Sequence, residues 1–195
     1  MPRRVAEQAA YVGVADHWGW AILVTVDGDG RCLDRRRVEL VEAGVPAYPH
    51  HHEAQRLPLE EAVALVERVR RSVAGCAEAR LEALAASVPL GIGALALRVC
   101  PPLPATLPER LSNYTAQNVA DSVMYREALA RAATARGWAL HWYEARHVLA
   151  QAAKTLGRES IQELLDATGV ELGRPWTKEH RLAMAAAIAA GGART

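Results

Sequence analysis

Asp16 is the acid in this chain best placed to do chemistry. It closes the apolar run Tyr11-Val12-Gly13-Val14-Ala15, and a second apolar run, Ala21 to Val26, begins after His17-Trp18-Gly19-Trp20. A carboxylate at the end of a buried strand is costly unless it is paired, hydrogen-bonded or bound to a metal. Far along the chain, Glu179 and His180 sit near the start of the last helical stretch. Asp and Glu supply hard oxygens suited to Mg²⁺ or Mn²⁺, and His can ligate a metal or move a proton near neutral pH. Asp16, Glu179 and His180 are therefore the candidate catalytic residues, with Asp16 and Glu179 the candidate metal ligands. Neighbouring helical residues point about 100° apart, so Glu179 and His180 reach one cleft only if the helix start faces it. Each also has a purely structural reading. Glu179 favours a helix N-terminus, His180 can cap or meet solvent, and Asp16 can hydrogen-bond the backbone of its own turn.

Trp18 and Trp20 lie on the turn after Asp16, where their rings could stack on bases. Arg35-Arg36-Arg37 and the set Arg68, Arg70, Arg71 are candidate basic patches. The first reads as a solvated strand end and the second as the polar face of a helix. With 23 Lys and Arg against 22 Asp and Glu, the net charge is +1, far from the basic excess of many nucleic-acid-binding domains. His50-His51-His52 reads as a polar loop, because consecutive extended side chains point to opposite faces. Cys32, Cys76 and Cys100 are widely spaced, with no CxxC pair or zinc spacing, and read as free thiols. No phosphate loop, dinucleotide fingerprint or nucleophile elbow is present. No window reaches the roughly 18 apolar residues of a membrane span, and no signal peptide is legible. Arginine far outnumbers lysine, which is only Lys154 and Lys178, as in a GC-rich genome. These features lead us to expect a single domain over residues 1–195, cytoplasmic, bacterial and without a membrane partner.

The elements that must hold these residues follow from pattern. Tyr11–Asp16, Ala21–Asp27 and Arg31–Val41 read as a three-stranded meander, with Asp27-Gly28-Asp29-Gly30 as a hairpin turn. Residues 44–57 read as a loop. A helix starts after Pro58, buries Leu59, Ala62, Val63, Val66, Val69 and Val73, and is expected to end near Gly75, with Ala77–Ser87 a further helical stretch. Gly91–Cys100 reads as a fourth strand stopped by Pro101. A long helix over 116–136 is expected to end at Gly137, followed by a strand over 138–143. Helices follow over 144–156, 159–168 and 178–190, the last behind Thr177 as N-cap. Strands first and helices interleaved later imply an α/β mixed sheet flanked by helices.

This order is similar to that of the ribonuclease-H-like fold, and the later half resembles the RuvC family of crossover-junction resolvases. The likeness rests on Val12-Gly13-Val14-Ala15-Asp16, on Ala120-Asp121-Ser122 with its helix, on Tyr143, Arg146 and Val148, on Lys154-Thr155-Leu156-Gly157, and on Glu179-His180-Arg181-Leu182-Ala183-Met184-Ala185. The resemblance implies about four carboxylates around two divalent ions, Mg²⁺ or Mn²⁺, cutting structured DNA, and a homodimer. It makes Asp16 the first metal ligand, Glu179 and His180 its companions, and Glu144 or Asp121 possible extra acids. Trp18, Trp20, Arg146 and Lys154 become the nucleic-acid contacts. The chain departs from the family at the fourth strand, where a Glu is expected and Arg98 stands, and at the last helix, where Lys178 adjoins Glu179. Two readings follow: a metal-dependent endonuclease on structured DNA or RNA, or a non-catalytic binding or assembly protein with a degenerate acidic site.

Overall fold

The computed structural model describes residues 9–192. β1 (Ala9–Asp16), β2 (Trp20–Val26) and β3 (Cys32–Glu39) form the expected meander, each antiparallel to the next. β4 (Gly91–Arg98) lies parallel beside β1, and β5 (Ala139–Tyr143) parallel beside β4, giving the order β3-β2-β1-β4-β5. The β2–β3 turn closes on Asp27, whose carboxylate accepts from the backbone N–H groups of Asp29 and Arg31. Gly30 supplies the left-handed residue that this turn needs, at φ 83°.

Side chains alternate across a strand, and that alternation builds two cores. Val12, Val14, Leu23, Leu95 and Leu97 pack under α1 (Leu59–Ser87) and α3 (Tyr114–Ala135). Tyr11, Ala15, Val24, Ala94 and Ala96 pack under α4 (Val148–Thr155), α5 (Gln162–Leu172) and α6 (Lys178–Gly192). On the second face α6 presents Ala183, Ala185, Ala186, Ala187, Ala189 and Ala190, small side chains that let the helix lie close to the sheet.

α1 does not stop at Gly75. Its buried stripe runs on through Val66, Val69, Val73, Ala77, Leu81 and Leu84, and that burial outweighs the roughly 1 kcal/mol that glycine costs inside a helix. The same stripe packs within the chain's own core, so it is not a free face for a second copy. The expected loop over 44–57 contains one turn of π-helix, Pro49–Glu53, and one of 3₁₀-helix, Ala54–Arg56. A short helix, α2 (Leu107–Leu111), follows the prolines. It opens with a capping box between Thr106 and Glu109, a pattern readable in the sequence but hidden beside the proline run. α3 begins at its N-cap Asn113, whose side chain accepts from Ala116 N–H, and Gly137 after it has φ 75°.

The arginine cluster on β3 is committed inside the fold. Arg36 pairs with Asp34 at 2.6 Å and donates to Ser87, and Arg37 pairs with Glu39 at 3.0 Å while lying over the Trp20 ring. Arg35 donates to the carbonyls of Leu172, Gly173 and Pro175 at 2.9, 2.9 and 2.6 Å. A cation at the negative end of α5 is favourable, and here it also fixes the turn into α6. Arg35→Leu is expected to lower the unfolding free energy by about 1–3 kcal/mol, seen as a lower urea midpoint with an unchanged slope.

Candidate functional site

Asp16 ends β1 on the same face as Val12 and Val14, so the alternation of the strand sends its carboxylate toward α3. There Oδ2 accepts from Arg126 Nε at 2.9 Å, and both side chains are buried. Arg126 Nη1 also donates to the Val99 carbonyl at 3.1 Å, just past the end of β4. Asp16 Oδ1 is buried with no hydrogen-bond partner among the described residues. Nearby, the Tyr143 hydroxyl donates to the Val14 carbonyl at 2.6 Å, and burial pushes its pKa up to about 12.

This pair forms one wall of a cleft of about 280 Å³ at the carboxyl ends of β1 and β4. The last residue of β4, Arg98, enters it with an Nε that is buried and unpartnered among the described residues. From the start of α6 come Lys178, Glu179 and Leu182, from α3 Ser122 and Arg126, and from the β1–β2 turn His17 and Trp18. Ser122 and Arg126 are four residues apart and share one side of α3. Asp121 and Tyr125 share the next side and look elsewhere. Three permanent cations, Arg98, Arg126 and Lys178, thus face two carboxylates. The neighbouring Thr177 hydroxyl, together with Glu179's own N–H, holds the Glu179 carboxyl below the usual range, so it is charged near neutrality.

The remaining sequence candidates, Trp18 apart, lie outside this cleft. His180 is turned toward Trp176, at a ring separation of 5.6 Å, and its Nδ1 accepts from the Thr177 N–H at 3.2 Å and lies 2.9 Å from the Thr177 hydroxyl. The 100° step from Glu179 carries it to the far side of the helix start. Asp121 is buried against the π-helical turn, accepting from His50 and His51 backbone N–H groups and from the His50 ring. Glu144 pairs with Arg146 at 2.7 Å and with His147 at 3.7 Å on the exposed turn after β5. Lys154 is exposed on α4. Trp20 is stacked on His17 at 4.0 Å with Arg37 over its ring, whereas Trp18 is half exposed at the cleft mouth. The residue that sequence reading missed is Arg126. The signal was present: Arg126 falls at helical spacing from Val119 and Val123, on a side of α3 that otherwise reads as apolar.

A two-ion centre does not fit these donors. Arg126 holds one Asp16 oxygen, Arg98 occupies the end of β4, and Leu182 stands one turn beyond Glu179. Among the described residues no group of three or more His, Cys, Asp or Glu is arranged to hold a metal ion. The three thiols are free, and burial pushes that of Cys32 to about 11. Among the described residues, no helix is long and apolar enough to cross a membrane.

His180 makes stability depend on pH. Burial lowers its pKa, and the charge of Arg35 acts in the same direction. Protonation would also remove the acceptor used by the Thr177 N–H. The unfolded chain therefore binds more protons as pH falls through its ordinary value of about 6.5, and the fold loses stability there. Urea midpoints are expected to drop between pH 7.5 and 5.5, and to drop less in His180→Gln. Burial lowers His141 as well, which leaves part of the slope in that variant.

A five-stranded sheet in which only β2 runs against the others, with helices on both faces and an Asp closing the first strand at a cleft, defines a ribonuclease-H-like fold. Among solved structures the chain is similar to Thermus thermophilus RuvC, at 14% identity over 92% of each chain with a TM-score of 0.49. It is also similar to T. thermophilus RuvC in complex with Holliday junction substrate, at 14% identity over 93% of this chain and 91% of that one, with a TM-score of 0.46. No protein-family model and no curated protein sequence matches it.

Proposed function

We propose that this chain is a ribonuclease-H-fold protein that binds structured nucleic acid without cutting it. The buried Asp16–Arg126 ion pair carries the reading. A nuclease of the two-ion kind needs that carboxylate open to metal, and here a guanidinium is bonded to it from within the core. Arg98 and Lys178 change the character of the rest of the cleft, from one that would gather cations to one that takes phosphate oxygens. Trp18 stands at its mouth with a ring able to lie against a sugar or base.

The test is a binding and cleavage assay on a fluorescent four-way junction. Binding in EDTA is expected, weakening steeply with salt. Arg98→Glu and Lys178→Glu should each reduce affinity about tenfold or more, as a reversed charge beside phosphate should. Strand scission in Mg²⁺ or Mn²⁺ that disappears in both Asp16→Asn and Glu179→Gln, with each variant still folded by circular dichroism, would overturn the proposal in favour of the endonuclease. The homodimer implied by the family resemblance is part of the same proposal, and sedimentation velocity with and without the junction checks it.

A further inference from the structure

A line of aromatic rings leaves the cleft and crosses the surface. Trp18, 46% exposed, lines the cleft and lies 5.1 Å from the Tyr48 ring. Tyr48 stacks on His52 at 5.2 Å, His52 lies 4.9 Å from His51, and His51 lies 6.4 Å from Tyr114, which is 70% exposed. Three separate segments contribute: the β1–β2 turn, the π-helical turn and the start of α3. The line ends in a second cavity, of about 650 Å³, whose lining includes His51, His52, Gln55, Arg56 and Tyr114.

Hydrogen bonds with α3 fix the middle of this line. Asp121 takes the backbone N–H groups of His50 and His51 and the His50 ring nitrogen at 2.7–3.1 Å. Tyr125, one turn further along α3, donates to the Ala47 carbonyl at 2.9 Å. A buried carboxylate is thus spent on fixing a turn whose own rings reach the surface. π-helical turns are rare and often mark functional positions. Two polar atoms beside the rings, His51 Nδ1 and Glu53 Oε2, are buried and lack a hydrogen-bond partner among the described residues.

We infer that the line from Trp18 to Tyr114 is a stacking track for unpaired nucleotides, whose backbone runs between the cations of the cleft and Arg56. The inference rests on the proposed binding of nucleic acid in the cleft and adds which form is bound. Exposed rings accept the faces of bases, and every base has such a face. Bases inside a duplex have both faces already covered, so a duplex offers the track nothing but its ends. The charge is complementary: cations stand at both ends of the track, Arg98 and Lys178 in the cleft and Arg56 at the second cavity.

The test compares a fluorescein-labelled oligothymidylate of about 12 nucleotides with a blunt duplex of the same length, by anisotropy in EDTA. The wild type is expected to bind the single strand more tightly. Trp18→Ala and Tyr114→Ala should each weaken single-strand binding roughly 5- to 100-fold, with Tyr114→Phe restoring it, and Tyr114→Ala, which lies outside the cleft, should leave duplex binding unchanged. Trp142→Ala, an exposed indole outside the track, should change neither. Single-strand affinity untouched in both track variants, alongside loss of all binding in Arg98→Glu, would overturn the track while leaving the cleft reading intact. Duplex bound as tightly as single strand by the wild type would also overturn it. A wild-type chain that binds neither probe nor the junction would remove both.

Discussion

Gly13→Ala is expected to cost about 3 kcal/mol of folding stability or more. Gly13 sits mid-β1 on the face under α6. A Cβ there would lie 1.8 Å from the Ala183 carbonyl oxygen and 2.6 Å from the Ala187 nitrogen. Both are backbone atoms of a helix packed along its whole length, so no rotamer change relieves the clash. Either α6 lifts off β1, opening voids along the alanine face, or the strand bends and breaks its pairing with β2 and β4. Insertions into packed cores usually cost 1–3 kcal/mol, and the upper end or beyond applies where backbone must move. Urea or guanidinium denaturation reads the effect. A loss below about 0.5 kcal/mol would mean that α6 does not seat where described. Gly75→Ala is the matched control. A Cβ at Gly75 meets nothing within 4 Å, and that variant is expected to gain up to about 1 kcal/mol from helix propensity.

Arg126→Met is expected to destabilise by about 3–5 kcal/mol, because it leaves the Asp16 carboxylate buried without its counter-charge. The two side chains are 8% and 2% exposed, so water cannot take over from the lost guanidinium. Asp16→Asn should cost less, since Arg126 keeps its bond to the Val99 carbonyl and an amide oxygen can still accept from it. The double variant Asp16→Asn with Arg126→Met should recover most of the loss of Arg126→Met alone, as replacement of a whole buried pair usually does. A double-mutant cycle by chemical denaturation separates the pair energy from the packing of each side chain. Additive losses, with no recovery in the double variant, would show that the two charges do not depend on each other, and the non-catalytic reading would lose its central support.

Much of the architecture was legible because it follows local rules. The alternation along β1, the Asp-Gly turn before β3, the stripe on α1 and the glycine after α3 each depend on neighbours in the chain. Where the expectation failed, a distant contact had intervened. Gly75 looked like a helix end, but the stripe beyond it packs into the same core. Gly169 looked like another, yet α5 continues to Leu172, and Trp176 packs so close to Gly169 that a Cβ there would lie 2.3 Å from its ring. His50-His51-His52 looked like a loose loop. Asp121, some seventy positions away, ties it into a π-helical turn that no local pattern announces.

The candidate site divides in the same way. Sequence alone determined that a carboxylate would end the first buried strand and would need a partner, because the cost of an unpaired buried charge is set by residue type and burial pattern. It also determined that the fourth strand would carry no acid and would hold Arg98 near its end. Only the tertiary structure decided who the partner is. The face of β1 that carries Asp16 is covered by α3, and the turn of α3 that reaches the strand end carries Arg126. Tertiary packing likewise turned Glu179 toward Asp16 and His180 away from it, although the two are adjacent in the chain. The reason is geometric: a sequence states which charges exist, while the docking of helix on sheet sets the few ångströms between them that make an acid a ligand or half of an ion pair.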